Sequence, residues 1–305
     1  MARFLSRELT YDVVTRQTEP RLRLEPGETV VVETEDAAGA RFRSPADITY
    51  EKASVGYPNP ITGPIYVEGA EPGDTLVVSI EGIQTDQQGF TRYRPDSGII
   101  KDWFSEPKVL LPTVEDDHIV FSPKVRFPLR PMIGTIGTAP ADPNADMGEP
   151  PGTHGGNMDC KDVRPRARLI LPVYVPGALL ALGDVHATQG DGEICGTGVE
   201  IRAKVTLSLH LRKGRPAAMT WPRLDLPEAI ATIVSVAPME QAFNLACREM
   251  VLWLEEEYGL SRSDAYLILS NVGDGRVCQA VNVVPTIRCV VPKNCLPASE
   301  HYPLR

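Results

Sequence analysis

Every odd-numbered position from Val199 to Leu211 is apolar, while Glu200, Lys204 and His210 stand among the even ones. Side chains on a strand alternate between faces, so this run specifies a half-buried β-strand. It places Glu200, Lys204 and His210 on a wet face. A helix cannot satisfy that period over so long a run. Proline and glycine, at 28 and 25 residues, cut the rest of the chain into short apolar segments. Such punctuation is that of an all-β body with frequent turns. Further strand candidates are 29–33, 75–82, 119–121 and 169–175. The stretches 82–103 and 139–153 read as long loops of the kind that cover sites.

The pattern changes after Pro238. Ala242, Phe243, Ala246, Met250 and Leu254 recur at helical spacing, which predicts a helix over 239–259 stopped by Gly259. Ser261 and Asp264 form a capping pair for a second helix, 264–270. Glu255, Glu256 and Glu257 are expected to be solvated or paired with neighbours. Strands at 275–284 and 287–291 follow. The expected fold is therefore mainly β, a sandwich or barrel-like body over 1–237, with a small helix-containing α/β element over 238–305 packed on it.

A net charge of -9 and the lack of a basic patch argue against a nucleic-acid partner. No segment has the run of about 18 apolar residues that a membrane helix needs. Charges at Arg3, Arg7 and Glu8 interrupt what a signal peptide would keep apolar, so a cytoplasmic location is expected. The six cysteines are dispersed, without paired CxxC spacing, and read as reduced thiols.

Two polar clusters carry the chemistry. Gly183-Asp184-Val185-His186-Ala187-Thr188-Gln189-Gly190-Asp191-Gly192-Glu193 directly follows an apolar run. On a strand, Asp184 and His186 share a face, and a carboxylate beside an imidazole is half of a Zn²⁺ site. Upstream, His154-Gly155-Gly156-Asn157-Met158-Asp159 offers Asp159 as a third ligand. The two glycines there could present backbone N–H groups to an oxyanion.

Together these clusters resemble the acetamidase/formamidase amidohydrolases. The likeness extends to Gly63-Pro64-Ile65-Tyr66-Val67-Glu68-Gly69-Ala70-Glu71-Pro72-Gly73-Asp74, to Gly134-Thr135-Ile136-Gly137-Thr138-Ala139-Pro140, to 196–200 and to Pro292-Lys293. Several motifs in order over most of the chain make a specific signal. Val185 departs from the family, which more often has Gly there, and 281–287 is less polar than usual. The resemblance implies hydrolysis of a small aliphatic amide of the formamide or acetamide type, with release of ammonia, and a homo-oligomer. A small cyclic amide, a γ-lactam, suits the same machinery.

Amide hydrolysis needs a sharpened nucleophile and a polarised carbonyl, and a divalent metal supplies both. The expected ligands are Asp159, Asp184 and His186, with Zn²⁺ the first choice and Ca²⁺ the alternative. Glu193 is the leading general base or acid, and Glu200 the alternative. Asn157 and Gln189 are expected to fix the amide. Asp191 reads as a turn residue and His154 as a loop residue near the site mouth. His118 reads as solvated, and His301 as a poor candidate in the tail. Two rivals stay open: a thiol amidase using Cys195 (or Cys160) with Glu193 and Lys161, and a non-catalytic Ca²⁺-binding β protein.

Overall fold

The structure is a computed structural model that describes residues 2–56 and 58–298, so His301 lies outside the described residues. Its architecture is mainly β. A nine-stranded sheet has the order Arg3–Leu5, Thr29–Thr34, Ala203–Arg212, Thr75–Thr85, Arg168–Pro172, Arg223–Asp225, Ala229–Ser235, Thr286–Pro292 and Asp274–Gln279. A second sheet has Gly155–Asn157 at one edge, then Met132–Gly137, Leu180–His186, Ile61–Val67 and Thr10–Tyr11, with Leu22–Leu24 also paired to Ile61–Val67.

One apolar core lies between the sheets. It joins Val30, Val78 and Leu207 of the larger sheet to Ile65, Ile136 and Val185 of the smaller. The alternating run supplies the middle of the larger sheet, with Val205, Leu207 and Leu209 fully buried and Lys204 and His210 exposed. The regular strand starts only at Ala203, however. Glu200 precedes it, bridged to both Phe90 and His186, and is 2% exposed. The strand period therefore does not extend back to Glu200, and its expected wet position is corrected to a buried one.

The two helices, Met239–Tyr258 and Arg262–Val272, pack against the other face of the larger sheet, where Trp253 and Leu254 meet Ile230, Val234 and Ile287. Gly259 ends the first helix with φ 65°, a left-handed conformation that glycine adopts without strain. Ser261 caps the second by accepting from the Asp264 N–H at 3.1 Å. Glu257 is buried near Arg223 and Arg212, while Glu255 pairs with Arg262. The larger sheet continues across residue 237, because Ala229–Ser235 and Thr286–Pro292 pair along their length.

Loop expectations divide. Strand Thr75–Thr85 and the short strand Thr91–Tyr93 occupy part of 82–103, whereas 139–153 carries neither helix nor strand. No helix among the described residues is long and apolar enough to cross a membrane.

Candidate active site

Asp184 and His186 stand on strand Leu180–His186, with Val185 between them turned into the core. Their side chains meet on the opposite face, Asp184 Oδ1 lying 3.3 Å from His186 Nε2. Two neighbouring glycines leave room for these side chains to converge. Ile133 pairs with Val185 and Thr135 with Gly183, which brackets Gly134 against Asp184. A Cβ on Gly134 would stand 2.6 Å from Asp159 Oδ1 and 2.7 Å from Asp184 Oδ2. A Cβ on Gly198 would stand 2.7 Å from His186 Nδ1. Both positions exclude any side chain because the site is packed directly against backbone.

Gln189 determines the tautomer of His186. Its Nε2 donates to the Asp159 carbonyl at 2.7 Å and to the Cys278 carbonyl at 3.1 Å, which uses both amide hydrogens. Its Oε1 therefore accepts from His186 Nδ1, 2.8 Å away. With the hydrogen on Nδ1, the neutral ring presents the Nε2 lone pair to the carboxylates.

Those carboxylates are numerous. Glu200 Oε2 is 3.1 Å and Asp159 Oδ1 4.0 Å from His186 Nε2. Glu193, in a left-handed turn with φ 46°, is buried beside them. Two overlapping groups result, Asp159–His186–Glu193 and Asp184–His186–Glu200, each with ligand atoms within 4.8 Å of one another. Asp159 Oδ2 accepts from Asn282 Nδ2 at 2.8 Å, while buried Oδ1 receives no hydrogen bond.

Four buried carboxylates around one imidazole are electrostatically costly unless protons or a cation balance them. Burial, reinforced by the charge of Asp184, pushes Asp159 well above the usual carboxylate range. Burial and Asp159 do the same to Glu193. Burial raises Glu200 to about 7 despite His186. Burial opposes a charged His186, yet the Glu200 and Asp184 carboxylates outweigh it and raise the imidazole well above its ordinary value. Burial also works against ionised Asp184, but His186 holds it below its ordinary value.

The remaining sequence candidates take other positions. Asn157 does not point an idle amide at the site: Oδ1 accepts from Thr135 Oγ1 at 3.0 Å and Nδ2 donates to Glu149 Oε1 at 2.7 Å. Gln189 is likewise engaged at both ends, so it orients His186. Gly155 donates its N–H to the Gly152 carbonyl at 3.1 Å and is not free to hold an oxyanion. Gly155 and Gly156, both with φ above 90°, instead permit close packing on Ile136 and Met147. His154 is buried, not at a mouth, with Nε2 at 3.0 Å from the Met147 carbonyl, and burial lowers its pKa. Asp191 receives a two-pronged contact from buried Arg288, at 2.7 and 3.0 Å, and Lys161 at 2.9 Å. Cys195 Sγ is engaged with Thr197 at 3.6 Å, and Cys160 is buried in the core.

Sequence reasoning missed Gly134, Thr135, Glu149 and Asn282 as site residues. Gly134 and Thr135 had a signal, since they open one of the motifs on which the family resemblance rests. Glu149 and Asn282 lie in irregular segments where no periodicity assigns a direction.

Comparison with known proteins accords with this arrangement. The Acetamidase/Formamidase family matches residues 15–149 and 144–297. The crystal structure of an acetamidase from Bacillus halodurans superposes with a TM-score of 0.88 at 37% identity, covering 95% of this chain and 97% of that one. A formamidase from Methylophilus methylotrophus is 30% identical over 213 residues, 50% of this chain and 51% of its own length. An acetamidase from Mycolicibacterium smegmatis is 26% identical over 79% of each chain. The alignment thus spans about half the length of the formamidase and more of the acetamidases.

Proposed function

Since the chain belongs to the acetamidase/formamidase family, we propose that it hydrolyses the C–N bond of a small aliphatic amide, releasing ammonia, with a divalent metal at His186. The observation that carries the reading is the pair of overlapping carboxylate–imidazole groups sharing His186. Asp159 Oδ1, buried without a hydrogen-bond donor, and the His186 Nε2 lone pair suit a cation. A mixed nitrogen and oxygen donor set favours Zn²⁺ over Ca²⁺, which takes oxygen ligands.

The proposed ligands are Asp159, Asp184 and His186. A metal held there would lower the pKa of a water and polarise the amide carbonyl. Gln189 keeps the His186 lone pair directed at the site by holding the hydrogen on Nδ1. Glu193 takes the proton of the attacking water, a role served by a buried carboxylate whose pKa lies above the ordinary range. Glu200 Oε2, 3.1 Å from the same Nε2, stands beside these ligands. The Gly134 and Gly198 backbones pack directly against these side chains.

The test is ammonia release across formamide, acetamide, longer aliphatic amides and a γ-lactam. Turnover of a linear amide is expected. Turnover of the lactam alone would move the substrate class to cyclic amides. No turnover by chains of verified metal content would overturn the reading.

A further inference from the structure

Glu149 sits in loop 139–153 and takes no part in either ligand group. Its Oε1 accepts from Asn157 Nδ2 at 2.7 Å, and its Oε2 is buried with no hydrogen-bond partner. Asn157 Oδ1 accepts from the Thr135 hydroxyl, which is also 3.2 Å from Asp184 Oδ2. A series of close polar contacts, Glu149–Asn157–Thr135–Asp184, therefore connects this loop carboxyl with the ligand face, the single Thr135 hydrogen serving either Asn157 Oδ1 or Asp184 Oδ2.

These contacts fix where an acidic hydrogen would reside. Asn157 uses its carbonyl oxygen toward Thr135 and so turns its N–H toward Glu149 Oε1. That oxygen is already an acceptor, which leaves Oε2 as the oxygen that carries the hydrogen. A buried, unpartnered O–H is costly to maintain and is available for donation. We propose that Glu149 is the general acid of the reaction, delivering its Oε2 proton to the leaving nitrogen. This inference rests on the amide-hydrolase reading above. Independent support comes from burial, opposed by the Asn157 hydrogen bond and aided by the charge of Asp184, which pushes Glu149 up to about 7. A carboxyl so raised is protonated in a useful fraction near neutrality.

The step balances. The water oxygen bonds to the amide carbon and leaves its proton on Glu193. The C–N bond then breaks, its electron pair departing on nitrogen, which takes the Glu149 proton. Glu149 ends as carboxylate and Glu193 as acid, and exchange with solvent restores both. One water and one amide yield one carboxylic acid and one ammonia.

A positioning role for Glu149 would make a different mark from a proton donor. The Glu149→Gln variant keeps the shape and can still accept from Asn157. It is expected to lower kcat/KM for acetamide by about 10²–10⁴-fold. Hydrolysis of p-nitrophenyl acetate should stay within about threefold, because p-nitrophenolate leaves without protonation. Circular dichroism and elemental analysis should match the unaltered protein. Equal losses on amide and ester, or an unaltered amide rate, would overturn the proposal. Absence of amide turnover by the unaltered chain would instead bring down the reading on which it rests.

Discussion

His186 touches nearly every group that matters at the site. Gln189 fixes its Nδ1, and three carboxylates surround its Nε2. Replacing it should empty the site, whereas replacing a proton acceptor should not. His186→Ala is therefore expected to lose bound metal and activity together. Glu193→Gln is expected to keep metal and fold, lower kcat by about 10²–10⁴-fold and largely spare KM. Elemental analysis beside steady-state kinetics checks both. Normal metal in His186→Ala would remove it from the ligand set, and an emptied Glu193→Gln would add Glu193 to it. Asp184 and His186 were legible because two residues apart on a strand means one face. The burial of Glu200 was not, because alternation was carried past the end of the regular strand. The engagement of Asn157 and Gln189 depends on partners, Glu149 and Cys278, that come together only in the folded chain.

The neighbouring strands Met132–Gly137 and Leu180–His186 set the depth of the site. Gly134 is the point where one strand must carry no side chain so that Asp159 and Asp184 can converge above it. Gly134→Ala would place a methyl within 2.6–2.8 Å of Asp159 Oδ1, Asp184 Oδ2 and the Asp184 carbonyl. The carboxylates must then shift by a fraction of an ångström or more. Misplacement on that scale costs roughly 10²-fold in rate, with the secondary structure retained by circular dichroism. A Gly134→Ala variant with normal kcat would contradict this account of the site floor. At the level of elements much was readable. The long helix runs over Met239–Tyr258, one residue short of the expected end, and Gly259 takes the stop conformation. The second helix extends two residues beyond each expected end, to Arg262 and Val272. Terminal turns depend on packing that a sequence pattern does not display. Sheet order was not readable, because neighbours such as Ala203–Arg212 and Thr29–Thr34 are far apart in sequence.

On the scale of the whole molecule, two sheets enclose an apolar core and the smaller sheet bears, on its other face, a concentration of buried negative charge. Asp159, Asp184, Glu193 and Glu200 are all buried around a single imidazole. Such a cluster needs protons or a cation to balance it, and the proposed metal would supply that balance. The two groups share His186, and its Nδ1 is already engaged with Gln189, so only Nε2 is left to serve an ion. The most direct measurement strips the protein with chelator, verifies the loss by elemental analysis and titrates Zn²⁺ back while following ammonia release from acetamide. Activity is expected to vanish on stripping and to return in proportion to occupancy, reaching its plateau at about one ion per chain. Full amide hydrolysis by verified metal-free protein would contradict the account.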